Sequence, residues 1–484
     1  MPATTPPPDL TPLLTPLLTP PLPPPPILHQ TLETLINLTR SPHHHHHHFS
    51  YIIPSLLHHL SSPLPRLTSL LILRFLRNLC AGDETNVQSF VNHDGVEIVS
   101  NLIGEAVRVE EEEEEEEKGV GVGVVRVGLQ VIANVVVASG ENSRVRVWRG
   151  VGFREVSKVM RREVCDVLCR VFYLCCEDEV VFGAVCRGEG VAVVAEIVRS
   201  VSLVGYGEDW IKLLLSRVCL EEPYFPALFN ALSVGTGSQE SEDTDQSVGN
   251  LSQEQAFLLR IVSVILNERL EEFHVGTEFV LFVLGLFKAS VEKVDFTTRG
   301  SSVLPTGVPS IDVLGYSLSI LRDSCASLGS EEVVDTASSN GLLDLLLHLL
   351  GKLEPPSTIR KAMKQDQSLS SGTLKVCPYK GFRKDIVSVI SNCLYGRRKV
   401  QDEIRAKNAV LLLLQQCVLD EDNPFLREWG IWCVRNLLEG NEENQKLVAE
   451  LELQGSANVP EIAGLGLRVE VDQDTRRAKL VNIT

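Results

Sequence analysis

No catalytic signature is present anywhere in this 484-residue chain. It has no GxxxxGK[ST] phosphate loop, no GxSxG nucleophile elbow and no HExxH zinc helix. Gly119, Gly121 and Gly123 lack the later glycine and the preceding strand of a dinucleotide loop, and His58, His59 and His93 have no partnered nucleophile. The expectation is a protein that is not an enzyme and holds no cofactor. Aromatic residues are scarce, at 6% against 44% apolar, so Leu and Val must do most of the packing, which suits stacked helices better than a barrel or sandwich. The twelve cysteines form no CxxC pair and no Cys/His ligand spacing. Cys165, Cys169, Cys175 and Cys176 fall in an apolar helical pattern, as buried reduced thiols do. A basic footprint is missing too. The net charge is −18, to which the Glu110–Glu117 run contributes eight, and this argues against broad binding to nucleic acid or an anionic membrane. Prolines interrupt the N-terminal leucines, no basic region precedes them, and no uninterrupted apolar run reaches ~18 residues. Residues 119–140 carry Arg126, Gln130 and Asn134 and so read as a buried repeat helix. These absences predict a cytosolic chain without a membrane span.

What is present is repetition. RFLRNLCAGDETNVQ places Asn78 before Leu79, Gly82 at the helix end and Asn86 eight residues on; LQVIANVVVASGEN repeats this with Asn134, Gly140 and Asn142. Near the C-terminus, FRKDIVSVISNCLYG and NPFLREWGIWCVRNLLEG give Asn392-Cys393 and Asn436-Leu437, 44 residues apart, followed by Gly396 and Gly440. That interval matches the ~40–47-residue period of HEAT and armadillo units. Asn444 keeps the eight-residue spacing, whereas Val400 and then Gln401 stand where it would fall after Asn392. The fold class expected is all-α, a right-handed α-α superhelix of armadillo/HEAT-like helical hairpins, whose extended surface suits protein partners.

Along the chain, residues 1–27 read as a Pro-rich disordered tail and 28–235 as N-terminal repeats with the His43–His48 and poly-Glu insertions. Residues 236–253 read as an acidic Ser/Gly-rich loop, 254–353 as middle repeats, 354–377 as a linker and 378–480 as a C-terminal domain. Valine is abundant over 121–230, but Val156, Val159, Met160, Val164, Val167, Leu168, Val171 and Leu174 keep the spacing of one helix face. Asn423-Pro424 reads as a helix start, with Asn supplying the cap oxygen.

The segment from about Tyr379 to Lys479 resembles the C-terminal domain of the ataxin-10 family. The resemblance rests on FRKDIVSVISNCLYG, VQDEI, the block LLLLQQCVLDEDNPFLREWGIWCVRNLLEGNEENQ and the tail LGLRVEVDQDTRRAKL, with Asn423 to Trp429 the most specific part. It implies a cytoplasmic armadillo-type scaffold that acts through other proteins, with links to cell division and cell survival.

In an armadillo stack the last helix of each repeat lines the concave groove, and there Asn78, Asn134, Asn392 and Asn436 could read a peptide backbone or brace a neighbouring turn. Trp432 lies one turn before Asn436, while Arg74, Gln130 and Ser388 hold that place elsewhere. Trp429 reads as core or ligand contact, and Arg427 and Arg435 are expected to add surface charge to a partner site. The partners expected are other proteins on the concave face, a second copy of the chain among them, with no nucleic acid and no membrane. Two further classes stay open: a nuclear transport adaptor for basic peptides, and a metal-handling protein built on the His run and the thiols.

Overall fold

The computed structural model describes residues 11–18, 21–40, 49–109, 115–139, 141–158, 161–221, 224–233, 251–273, 275–327, 329–365, 374–452, 467–471 and 478–482. Residues 1–10, the His43–His48 run, 110–114 of the glutamate run, Gly140, Val159, Met160, 234–250 of the acidic loop and 366–373 of the linker lie outside the described residues. The chain divides into two compact units, Met1–Ile265 and Leu266–Thr484.

Unit 1 opens with α1 (Thr11–Leu18), α2 (Pro25–Leu38), α3 (Ile53–Leu60) and α4 (Arg66–Leu79). Three-helix repeats follow. The first is α5 (Glu84–Asn92), α6 (Gly95–Val109) and α7 (Glu115–Ala138); the second is α8 (Glu141–Gly150), α9 (Phe153–Lys158) and α10 (Arg162–Cys175). The third is α11 (Glu179–Val185), α12 (Glu189–Val204) and α13 (Trp210–Ser216), continued by a π-turn at Arg217–Glu221. After α14 (Phe225–Ala231), the boundary between the units falls inside α15 (Gln253–Glu268). Helices α2, α4, α7, α10 and α13 pack side by side as one row, and α3, α6, α9, α12 and α14 as a second.

The valine-rich α7 is helical throughout, and its glycines explain how it fits. A Cβ on Gly123 would lie 3.1 Å from Leu70 of α4, and one on Gly128 would lie 2.9 Å from Ile103 of α6. Small residues there let three helices approach closely. Its Gly119–Ala138 stretch is long and apolar enough to cross a membrane, but most of it is buried within the unit, as in a core helix.

Unit 2 contains α16 (Thr277–Lys293), α17 (Pro309–Ala326), α18 (Glu331–Ser339), α19 (Leu342–Lys352) and α20 (Ser357–Gln365). It continues with α21 (Phe382–Leu394), α22 (Arg398–Ala406), α23 (Val410–Leu414), α24 (Leu426–Leu438) and α25 (Glu442–Glu452). Here α16, α17, α21 and α24 form the row. Strands β1 (Leu467–Val471) and β2 (Ala478–Asn482) close it as an antiparallel hairpin, with Leu467 opposite Asn482. Both units are therefore stacks of helical repeats, all-α apart from this hairpin.

Several expectations are corrected. The proposed disordered tail over 1–27 is helical at Thr11–Leu18 and again from Pro25. Leu14 and Leu17 are buried, and the Leu17 carbonyl accepts from Ser55 Oγ at 2.7 Å, which satisfies a helix-end carbonyl. Pro25 and Pro26 sit in a first turn, where a missing N–H costs nothing. The repeats are three-helix units rather than hairpins. The single face drawn from Val156 to Leu174 belongs to two helices, α9 and α10. The linker 354–377 contains α20, and Lys375 bonds back to Lys352 and Glu354, because an edge of backbone there finds a parallel partner. Helix α15 starts at Gln253, where Ser252 and Gln255 form a reciprocal capping box at 3.0 Å.

Candidate protein-binding grooves

In each unit, asparagines staple neighbouring helices of the row. Asn78 Nδ2 donates to Ile36 O at 3.1 Å and Asn134 Nδ2 to Arg77 O at 3.0 Å. Asn392 Nδ2 donates to Arg322 O at 2.9 Å and Asn436 Nδ2 to Ser391 O at 3.0 Å. The acceptor is always the residue just before the equivalent position of the earlier helix, so Asn37 and Asp323 occupy that position in α2 and α17. Asn78 and Asn436 are buried; Asn134 and Asn392 are half-buried. The amides thus bond the preceding helix rather than a local turn, and contact with a ligand falls to the side chains around them.

The eight-residue spacing also has a physical cause. Asn86 Nδ2 reaches back to Leu79 O at 2.9 Å, and Asn444 Nδ2 to Leu437 O at 3.0 Å. The main-chain N–H of each donates to the capping side chain, Asp83 or Asn441, at 2.9 and 3.0 Å. One side chain therefore satisfies an orphan carbonyl of the helix just ended while its backbone joins the cap of the next. After Asn392 that device is absent, and Gln401 Nε2 bonds Asn436 O at 2.8 Å instead.

The row of unit 2 carries an aromatic groove between α21 and α24. Tyr395, Phe425, Glu428, Trp429 and Trp432 surround Asn392 and Asn436 in a cavity of about 450 Å³. Tyr395 is 67% exposed, Phe425 71% and Trp432 52%. The Arg435 guanidinium stacks 5.0 Å from the Trp432 ring. Of the residues singled out in the sequence, Asn392, Trp429, Trp432 and Asn436 meet here with Arg435 at the rim. Arg427 is exposed, 3.4 Å from Glu428, and does not line the cavity. Asn78 and Asn134 belong to unit 1. Tyr395 and Phe425 were missed; Phe425 had a signal, since an aromatic just after Asn-Pro has no helical register to bury it.

Phe425 is the anomaly of this site. It precedes α24 with φ 65°, a left-handed conformation that is strained for a bulky residue. The surrounding motif explains how it is held. Asn423 does not cap its own helix as expected: its Oδ1 accepts from the Arg383 N–H at the start of α21, at 2.9 Å, and its Nδ2 donates to Asp420 at 2.8 Å. Gly430 sits so close to the preceding loop that a Cβ would lie 2.5 Å from Gln416 O. The NPFLREWG run is thus pinned at both ends, and the left-handed turn between the pins aims Phe425 outward.

The thiols are structural. Burial pushes Cys80 and Cys175 up to about 12, and pushes Cys176, Cys219 and Cys433 upward as well, so all five stay protonated and are poor metal ligands or nucleophiles. Among the described residues no group of three or more His, Cys, Asp or Glu is placed to hold a metal ion.

Residues 382–481 match the family model of the spinocerebellar ataxia type 10 protein domain. The ataxin-10 homolog of Dictyostelium discoideum is 39% identical over 95 residues, covering 20% of this chain and 16% of that protein. Ataxin-10 of Xenopus tropicalis is 32% identical over 126 residues, covering 26% and 25%. Human ataxin-10 is 36% identical over 90 residues, covering 19% of each. Residues 382–481 thus carry the domain that defines the C-terminal part of ataxin-10 proteins. The matching segments span between 16% and 25% of these relatives. An engineered protein of solved structure aligns over 89% of this chain and 98% of its own at 13% identity, with a TM-score of 0.35, too low to define the fold. The ataxin-10 domain starts at the first residue of α21, and Asn423, Phe425 and Gly430 are the residues through which its most specific segment shapes the groove.

Proposed function

We propose that this chain is a non-catalytic cytosolic scaffold whose ataxin-10 domain holds an apolar anchor of a partner protein between Tyr395, Phe425 and Trp432. The observation that carries this reading is Phe425, held in a left-handed conformation and 71% exposed beside a half-exposed Trp. Strain that presents an apolar ring to water is retained where the ring has work to do. Aromatic anchors in such pockets dominate binding energy at protein interfaces. The cytosol is supported by twelve unpaired cysteines, eleven of them buried, since an oxidising compartment favours disulfides. Cell division and cell survival, which the family resemblance implies, are the processes in which to seek the partner.

Peptide display against the full chain, followed by fluorescence anisotropy of the selected peptides, tests this. Sequences with an aliphatic or aromatic anchor should be enriched, and Trp432→Ala should weaken them by about thirtyfold, the usual cost of about 2 kcal/mol for a central Trp. Equal binding by Trp432→Ala and Phe425→Ala with circular dichroism unchanged would remove the groove from the function. A concentration-dependent dimer abolished by the same substitutions would instead make a second copy of the chain the occupant.

A further inference from the structure

Unit 1 has its own groove at the equivalent place along its row, and its chemistry is of a different kind. Arg77, Gln130, Asn134, Asp166, Arg170 and Trp210 line a cavity of about 250 Å³ across α4, α7 and α10. Arg40, Arg74 and Arg126 crowd Arg77, whose pKa is lowered first by burial and then by these three charges. Arg74 stands one turn before Asn78 on the same helix face, and Arg77 donates directly to Asn78 Oδ1 at 3.0 Å.

The two carboxylates of this groove are already engaged. Asp166 accepts from the N–H groups of Gly207 and Glu208 at 3.1 and 3.0 Å, and Glu208 accepts from Trp210 Nε1 at 2.7 Å. Arg77 donates to Gln130 Oε1 at 3.0 Å, a neutral partner, and Arg170 lies over the Trp210 ring at 5.4 Å. The buried Nε atoms of Arg126 and Arg170 have no hydrogen-bond partner. Five guanidinium groups gathered against two occupied carboxylates repel one another and leave the groove locally positive, although the chain as a whole carries −18. Such a cluster repels the basic peptide of a nuclear transport adaptor.

We propose that this groove binds an extended acidic segment of a partner protein, its carboxylates paired with Arg74, Arg77, Arg126 and Arg170. Guanidinium groups recognise carboxylates through forked, charge-assisted hydrogen bonds. Adjacent packed helices stand about 8–10 Å apart, and an extended chain advances about 3.3 Å per residue. An acidic residue at every third position therefore meets successive helices of the row. The acidity of the rest of the protein weighs against nucleic acid as the occupant.

The test is anisotropy on the full chain with a labelled dodecapeptide carrying Glu at every third position and Ser elsewhere. Saturable, salt-sensitive binding is expected, weakened about tenfold or more by combined Arg74→Gln and Arg126→Gln, a loss typical of charged hydrogen bonds. Arg40→Gln, at an exposed site that does not endanger folding, should weaken it in the same direction. Trp432→Ala should leave it unchanged, which separates this groove from that of the ataxin-10 domain. Absence of saturable binding, or binding indifferent to all three arginine substitutions, would overturn the proposal. Tighter binding of a uridine dodecamer at the same ionic strength would overturn it in favour of RNA.

Discussion

One turn before the stapling asparagines, unit 1 places Arg74 and Gln130, whereas unit 2 places Ser388 and Trp432. The staple itself is the same: an amide donates to the carbonyl of the earlier helix at 2.9–3.1 Å in all four cases. Around it, unit 1 gathers guanidinium groups and unit 2 gathers aromatic rings. The difference teaches how a repeat separates architecture from recognition. Because the asparagine amide holds the helices together, its neighbours on the same face are free to carry charge in one unit and apolar surface in the other. A single chain of this type then presents two grooves of unlike chemistry.

The comparison can be broken or sharpened experimentally. The largest effect should come from the thiols that both units bury. Cys80 and Cys175 are raised from 9.0 to about 12 in the folded state, so the unfolded chain ionises first as pH rises. Their contribution is fully present below pH 9 and is lost between 9 and about 12. Thermal melts over that range should show a steadily falling Tm, and hydrogen exchange should show protection falling in both units, since each buries several such thiols.

Next in size is Gly430→Ala. The added methyl meets main-chain atoms that cannot rotate away, and roughly 3 kcal/mol should be lost from unit 2, read as a lower denaturant midpoint. The staples follow. Asn436→Ala leaves a buried carbonyl unsatisfied and should cost about 1–3 kcal/mol, while half-buried Asn134→Ala should cost nearer 1 kcal/mol. If Asn134 proved the costlier, unit 1 would depend on its staple more than burial predicts. The smallest change has the opposite sign. Phe425→Gly relieves the left-handed strain and should raise stability by about 1 kcal/mol, while weakening peptides selected on the aromatic groove. A loss of stability there would mean that the ring supports the fold instead of waiting for a ligand.

How much of this was legible in the sequence varies with the range of the interaction. The repeat helices, the eight-residue asparagine spacing and the ataxin-10 domain could be read because each rests on periodicity or on a contiguous motif. The extra helix that makes each repeat a triplet was harder to see: α8, α11 and α22 are short, and α9 and α10 run together in the apolar pattern. The terminal hairpin was visible only as an alternation in LRVEV. The destination of Asn423 could not be read at all. An asparagine before proline predicts a local cap, but the Arg383 N–H that it meets lies 40 residues earlier in the chain.

By itself, the sequence determined a stack of helices with buried thiols and an ataxin-10 domain at its end, because helical period, apolar spacing and local caps act over a few residues. Only the tertiary structure decided which asparagines bond to which carbonyls, that Phe425 faces water, and that five arginines gather around one groove. Those outcomes depend on bringing distant helices into register, and a backbone carbonyl or a neighbouring charge leaves no mark in the sequence of the residue that meets it.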